Sequence, residues 1–271
     1  MISEDRTAFI LKEIEDRGSV NVVNLAQRLD VSEMTIRRDL VSLEKEGLIR
    51  RVHGGAISAR GRSYEPSLVL RETQNREEKA LIGRIAASLV ADGDCIALDI
   101  GSTTLQVAIN LIGRRNLTVI TPSLQIANAL ANQPDIRLII PGGIVRHGEL
   151  SLIGDLTRRS LEGLFIDRLF LGVGAIDSEH GLTEYNWDDA LVKKEMVQNA
   201  KEVILVADPS KFEKVAFASV APLNAIHMLV TTQLPPTPLQ EALQKDGVLI
   251  MTGDEEDDGE ILEKEQRNNN Q

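Results

Sequence analysis

The sequence predicts an α/β protein in two parts: a small N-terminal helical domain closed by a β-hairpin, and a larger, doubly wound, mostly parallel α/β domain. Three observations predict it. Three stretches with helical apolar spacing fill residues 3–46 and lead into a strand–turn–strand over 48–57. From residue 75 onward, apolar strand-like runs alternate with helical segments, the pattern of a parallel sheet covered on both faces. Aromatics are 3% of a chain that is 42% hydrophobic, so the core is built from Leu, Ile, Val and Ala, which suits helices packed on a buried parallel sheet.

Each element follows from local chemistry. Ser3 is a good N-cap, and Phe9, Ile10 and Ile14 share a helical face, giving a helix over 3–16 that Gly18 ends. A short second helix over 22–29 carries Val22, Val23, Leu25, Ala26 and Leu29. Asp30-Val31 turns the chain, and Ser32 caps a third helix over 33–46 with Ile36, Leu40 and Leu43 on one face; Gly47 stops it. The strand pair turns at Gly54-Gly55, closing a first domain over 1–57. Residues 58–74 lack periodicity, carry Gly61, Ser63 and Pro66, and read as a linker.

The larger domain is expected over 75–253. Its helices are expected over 75–91, 103–112, 123–133, 155–164, 187–200 and 237–245. Its strands are expected over 95–100, 117–121, 136–141, 144–152, 168–173, 203–207, 227–231 and 248–251. In such sheets ligands bind at the carboxyl ends of the strands. Residues 254–271, acidic and then Asn-rich, read as a disordered tail.

The net charge is −11, yet between Arg37 and Arg76 nine basic residues stand against five acidic ones. A basic segment on an acidic body is compatible with DNA binding. The single cysteine, Cys95, excludes an intrachain disulfide and a Cys-rich metal site. The four histidines are widely separated and show no ligand spacing, so no metal or other cofactor is expected. No apolar run approaches the ~20 residues needed to span a bilayer, and the N-terminus lacks a signal-peptide apolar region. A cytoplasmic protein without a membrane partner is expected.

The spacing of Leu25, Ala26, Leu29, Val31, Ser32, Ile36, Leu40 and Leu43 suits two helices joined by a tight turn. Ser32 places its hydroxyl on free backbone N–H groups at a helix start, which is also a place for a DNA phosphate. A recognition helix reads the major groove mainly near its N-terminus. Thr35 can meet a thymine methyl, and Arg37 or Arg38 can contact guanine or a phosphate. Arg50, Arg51 and His53 follow on a hairpin wing, so two basic elements stand side by side. Double-stranded operator DNA is the partner this pattern points to.

The run Val31-Ser32, Thr35-Ile36-Arg37-Arg38-Asp39-Leu40, Leu43-Glu44 and Gly47-Leu48-Ile49-Arg50-Arg51-Val52-His53-Gly54-Gly55-Ala56 resembles the DeoR/GlpR family signature almost letter for letter. The likeness continues to about residue 251. It implies a winged helix-turn-helix regulator of sugar or nucleoside metabolism, usually a repressor. It also implies an effector domain shaped like ribose-5-phosphate isomerase, with a phosphorylated sugar as ligand.

Asp99-Ile100-Gly101-Ser102-Thr103-Thr104 follows a strand and opens a helix. Gly101 lets backbone approach an anion, and the hydroxyls and amides of Ser102, Thr103 and Thr104 can all donate to phosphate. The required Gly-Lys-Ser/Thr of a nucleotide P-loop does not follow. Other strand ends add Thr121, Gly142, Gly143, Asp177 and Lys211, and Glu184 stands in the loop before the 187–200 helix. The isomerases that this domain resembles carry a catalytic carboxylate on that helix, and Lys194 aligns with it. A lysine cannot act as the same general base at neutral pH unless its pKa is strongly lowered. The resemblance therefore implies a pocket that binds rather than turns over, with Lys193 or Lys194 meeting the anion. The rival is a sugar-phosphate isomerase or deaminase with an appended DNA-binding domain, and Lys194 argues against it. Dimeric helix-turn-helix proteins read paired half-sites, so a homo-oligomer, dimer or tetramer, is expected.

Overall fold

The computed structural model describes residues 3–17, 19–45, 48–52, 54–58 and 61–253. The expected helix stops Gly18 and Gly47, the wing residue His53 and the expected tail 254–271 lie outside the described residues. The chain divides into two compact units, residues 1–64 and 65–271.

In the first unit α1 (Ser3–Arg17), β1 (Ser19–Asn21), α2 (Val22–Leu29), α3 (Glu33–Lys45), β2 (Ile49–Val52) and β3 (Gly55–Ser58) follow in order. Asn21 caps α2 by accepting from the amides of Val23 and Asn24. Asp30 ends α2 in the left-handed conformation, and the Val31 amide donates to the Ala26 carbonyl at 3.1 Å, closing the turn. Ile10 and Ile14 of α1 pack on Leu25 and Ala26 of α2, Ile36, Leu40 and Leu43 of α3, and Ile49. Burial of one aliphatic face per helix is what fixes the three-helix arrangement. The strands form an antiparallel sheet in the order β1-β3-β2. β1 is absent from the sequence reading because three residues carry no periodicity; it exists through its pairing with β3. A Cβ on Gly55 would stand 1.9 Å from the Val20 carbonyl oxygen, so that pairing needs glycine.

The second unit opens with α4 (Leu68–Thr73), capped by Ser67, inside the stretch expected as linker. Then come α5 (Arg76–Ser88), β4 (Cys95–Leu98), α6 (Ser102–Asn110), β5 (Leu117–Ile120), α7 (Leu124–Leu130) and β6 (Ile136–Ile139). A hairpin of β7 (Ile144–Arg146) and β8 (Ser151–Ile153) precedes α8 (Asp155–Leu161) and β9 (Ile166–Leu171). β10 (Ala175–Asp177), β11 (Gly181–Glu184), α9 (Trp187–Asn199), β12 (Ala200–Val206), β13 (Ala218–Ala221), β14 (Met228–Val230), α10 (Thr237–Lys245) and β15 (Leu249–Met251) complete it.

Among the described residues, seven strands form a sheet in the order β15-β14-β12-β9-β4-β5-β6, with every pairing parallel. This is the doubly wound fold the alternation predicts. Alternate strand residues feed two cores. Ala97, Leu169, Leu171, Val203 and Leu205 meet α8, α9 and α10. Ile96, Leu98, Phe170, Ile204 and Val206 meet α5, α6 and α7. Beside β1 and α4, two further features differ from the sequence expectation. The expected single strand over 144–152 is the β7–β8 hairpin, turned where Gly148 and Leu150 take positive φ. β10, β11 and β13 form a small antiparallel sheet that no helix–strand alternation announces.

The order of strands places the site. β5 and β6 lie to one side of β4, whereas β9, β12, β14 and β15 lie to the other. The chain reverses direction of winding between β4 and β9, and the loops leaving those two strands diverge to open a crevice.

Candidate functional site

The first unit presents α3 and the β2–β3 wing. The Ser32 hydroxyl accepts from the Thr35 amide at 3.1 Å and bonds the Thr35 hydroxyl at 2.8 Å, so both hydroxyls are drawn to the start of α3. Asp39 faces inward and holds Arg6 of α1 through two bonds of 2.5 and 3.0 Å, buried between the helices. Arg37 and Arg38 are exposed. Arg37 donates to Glu33 one turn back at 2.9 Å. Arg51 donates to the Glu44 carboxylate through both its amide, at 2.9 Å, and its side chain, at 2.6 Å, tying the wing to α3. Among the described residues Arg38 and Arg50 make no ion pair or side-chain hydrogen bond, which leaves both guanidinium groups open to an outside anion.

The second unit has a pocket in the β4/β9 crevice. It is lined by Glu65, Arg71, Gly101–Thr104, Gly172, Glu184, Lys193 and Lys211, among others. Gly101 caps α6 at φ +127°, a conformation open to glycine, and contributes no side-chain cap. Among the described residues no side chain caps the first amides of α6, which lie at the pocket, and the helix dipole adds positive potential there. The Thr104 hydroxyl donates back to the Gly101 carbonyl at 2.9 Å and holds the loop.

Lys193 rises from α9 into this crevice and is 2% exposed. Its ammonium donates to Asp99, to the Gly172 carbonyl at 3.0 Å, and pairs with Glu184 at 3.1 Å. An ammonium has three donors, so Lys193 is saturated. Burial opposes its charge, but Asp99 and Glu184 hold its pKa above the ordinary lysine value. Burial raises Asp99 to about 6, with Lys193 opposing the rise. Asp99 also accepts from the Gly172 amide at 3.0 Å, which locks the ends of β4 and β9 together. Burial lowers the pKa of Lys211, although Asp208 opposes this. Lys211 lies 6.0 Å from the Tyr185 ring centroid and makes no ion pair among the described residues. Its charge is answered at a distance by Asp208, Glu184 and Glu65 rather than by a contact pair.

A chain of ion pairs borders the same pocket. Arg71 holds Glu149 and, at 3.1 Å, Glu65. Arg146 holds Glu65 at 2.6 Å and also Asp189, whose other oxygen accepts from Ser151 at 2.9 Å.

Of the residues named from sequence, Asp99, Gly101, Ser102, Thr103, Thr104, Glu184 and Lys211 converge here. Of the two lysines left open, Lys193 enters the crevice, whereas Lys194 lies over the Trp187 ring at 5.8 Å. Thr121 accepts from the Ser123 amide at 3.1 Å, and Ser123 in turn caps α7 by accepting from the Ile126 amide. The Gly142 carbonyl accepts from Thr157 at 2.8 Å, and a Cβ on Gly143 would meet Thr157 at 2.0 Å, so both glycines pack against α8. Asp177 closes the β10–β11 turn through the amides of Glu179 and His180 and the His180 ring. Sequence reasoning missed Glu65, Arg71, Arg146 and Glu149, which stand far apart in the chain and carry no motif.

Comparison with known proteins covers both units. Residues 6–61 match the family model described as a DeoR-like helix-turn-helix domain, and residues 74–233 that of the DeoR C terminal sensor domain. The chain is 36% identical over 259 residues to the HTH-type transcriptional repressor GlcR of Bacillus subtilis, covering 96% of this chain and 99% of that one. It is 34% identical to the HTH-type transcriptional repressor CsqR of Escherichia coli, covering 91% and 94%. It is 32% identical to the glycerol-3-phosphate regulon repressor of the same organism, covering 86% and 92%. Among solved structures, ribose 5-phosphate isomerase A of Methanocaldococcus jannaschii aligns over 51% of this chain and 55% of its own, with 21% identity and a TM-score of 0.39. No helix among the described residues is long and apolar enough to cross a membrane.

Proposed function

The chain belongs to the DeoR family of transcriptional regulators, and from that premise we propose that it is a repressor of carbohydrate-metabolism genes whose operator affinity is set by a phosphorylated sugar in the β4/β9 crevice. The observation that carries the ligand reading is the presence in one pocket of an α6 N-terminus lacking a side-chain cap and of Lys211, which makes no contact ion pair among the described residues. The phosphate is held by the amides of Ser102, Thr103 and Thr104, the hydroxyls of Ser102 and Thr103, and the Lys211 ammonium. Glu184, which lines the pocket, accepts from a sugar hydroxyl, and Asp99 behind it fixes Lys193. Asp99 and Glu184 hold Lys193 in its protonated form, so it cannot serve as a general base. That favours binding over turnover. In the first unit, α3 enters the major groove with Thr35, Arg37 and Arg38 near base edges, Ser32 at a phosphate, and Arg50, Arg51 and His53 of the wing on the backbone. Two copies bound to half-sites ~34 Å apart satisfy this geometry.

The test of the pocket is thermal unfolding of the full chain with inorganic phosphate and a panel of sugar phosphates. At a hundred times its dissociation constant a ligand adds about 2.7 kcal/mol of stability. Ser102→Glu places a carboxylate where the phosphate sits and removes that gain. A Ser102→Glu chain stabilised as much as the parent would overturn the assignment.

A further inference from the structure

The chain that leaves the DNA-binding unit becomes part of the pocket wall. Glu65 is the first residue of the second unit, covalently next to Tyr64 of the first. It lines the pocket together with Arg71, Ser102, Lys193 and Lys211. Its side chain is 8% exposed and that of Arg71 13%. Arg71 folds the segment back on itself by donating to the Pro66 carbonyl at 3.1 Å. Lys79 of α5 donates to the carbonyls of Arg71 and Gln74, at 2.5 and 2.8 Å, and pins the far end of α4. At the near end Glu65 is held by Arg71 and Arg146.

We propose that Arg71 is an anion-contacting residue of the pocket and that Glu65 is the internal carboxylate an anionic ligand displaces from it. The proposal rests on the reading of the pocket as a phosphorylated-sugar site. In the free protein Glu65 and Glu149 crowd one guanidinium nitrogen of Arg71, Nη2, while Nε serves the Pro66 carbonyl. A ligand phosphate offers the same fork a stronger, more highly charged acceptor and repels both carboxylates. Glu65 then keeps only Arg146, which already serves Asp189. Displacement therefore loosens the residue to which the DNA-binding unit is joined. Binding and release compete for one arginine, so ligand affinity and the order of residue 65 are linked reciprocally.

The experiment uses the full chain, inorganic phosphate and a panel of aldose and ketose phosphates, and the duplex that the wild type recovers from random DNA. Glu65→Gln removes the competitor. It is expected to bind phosphate about tenfold more tightly and to shift operator affinity, without ligand, in the direction that ligand shifts the wild type. Arg71→Gln is expected to bind phosphate about tenfold more weakly, with Arg71→Lys between the two. Hydrogen exchange of amides 65–72 is expected to quicken when phosphate binds the wild type, a readout that needs no variant to fold. Unchanged exchange there, or wild-type phosphate affinity in Glu65→Gln, overturns the proposal even if Ser102→Glu blocks binding and so supports the pocket. Failure of the wild type to bind any phosphate overturns both.

Discussion

Replacing Lys193 with methionine removes the cation from a site that shields two carboxylates and a carbonyl: Asp99, Glu184 and the Gly172 oxygen. Asp99 keeps the Gly172 amide and Glu184 keeps the Tyr185 amide, but neither retains a countercharge within contact. Removing one partner of a buried pair costs about 3–5 kcal/mol. In a unit of this size each kcal/mol moves the midpoint by about 2–4 °C, so the variant should unfold roughly 6–20 °C earlier at neutral pH. The pH dependence has a definite sign. Burial already raises Asp99 to about 6 with the ammonium present, and loss of the ammonium raises it further. A carboxylate that binds its proton more tightly folded than unfolded makes the fold less stable as pH rises through that range. The deficit should therefore shrink on acidification from pH 7 to pH 5, and Asp99→Asn added to the variant should recover part of it. Calorimetry at pH 5, 6, 7 and 8 reads both effects. A variant within about 1 kcal/mol of the parent, or a deficit that grows in acid, would refute the role given to Lys193.

Two further outcomes concern the DNA-binding unit. Arg38→Ala and Arg50→Ala, which remove guanidinium groups of α3 and the wing that make no ion pair among the described residues, should each weaken operator binding; for a phosphate contact the salt slope falls by about one, and for a base contact specificity relaxes at one position by about 1–3 kcal/mol. Titrations at several salt concentrations separate the two, and affinity unchanged in both variants would remove the α3–wing interface. Asp39→Ala removes the carboxylate that ties α3 to Arg6 of α1 through two bonds and should destabilise the first unit by about 1–3 kcal/mol, seen as early loss of helical signal; unaltered unfolding of that unit would show the pair to be idle.

What the sequence made readable was whatever repeats along the chain. The helix spacings of the first unit, the alternating strands and helices of the second, and the Gly101–Thr104 turn all express local periodicity or turn chemistry. Elements sustained by distant partners were not readable. β1 is three residues long and depends on β3. α4 is six residues long and is held by Ser67 and by Lys79 of another helix. The choice between Lys193 and Lys194 was open to a stricter reading of phase: Lys193 stands three residues from both Ala190 and Met196, the buried face of α9, while Lys194 stands seven from exposed Trp187. The Glu65–Arg71–Glu149 and Glu65–Arg146–Asp189 pairs join residues up to 81 positions apart or close in sequence without motif, and only the folded crevice brings them together.

The most direct measurement is the operator affinity of the full chain, by fluorescence anisotropy, with and without each member of a sugar-phosphate panel, for the wild type and for Ser102→Glu. The account predicts that one sugar phosphate changes wild-type operator affinity by about 5–150-fold and that Ser102→Glu no longer responds. An operator affinity that no sugar phosphate alters, or a Ser102→Glu chain that responds as the wild type does, would contradict it.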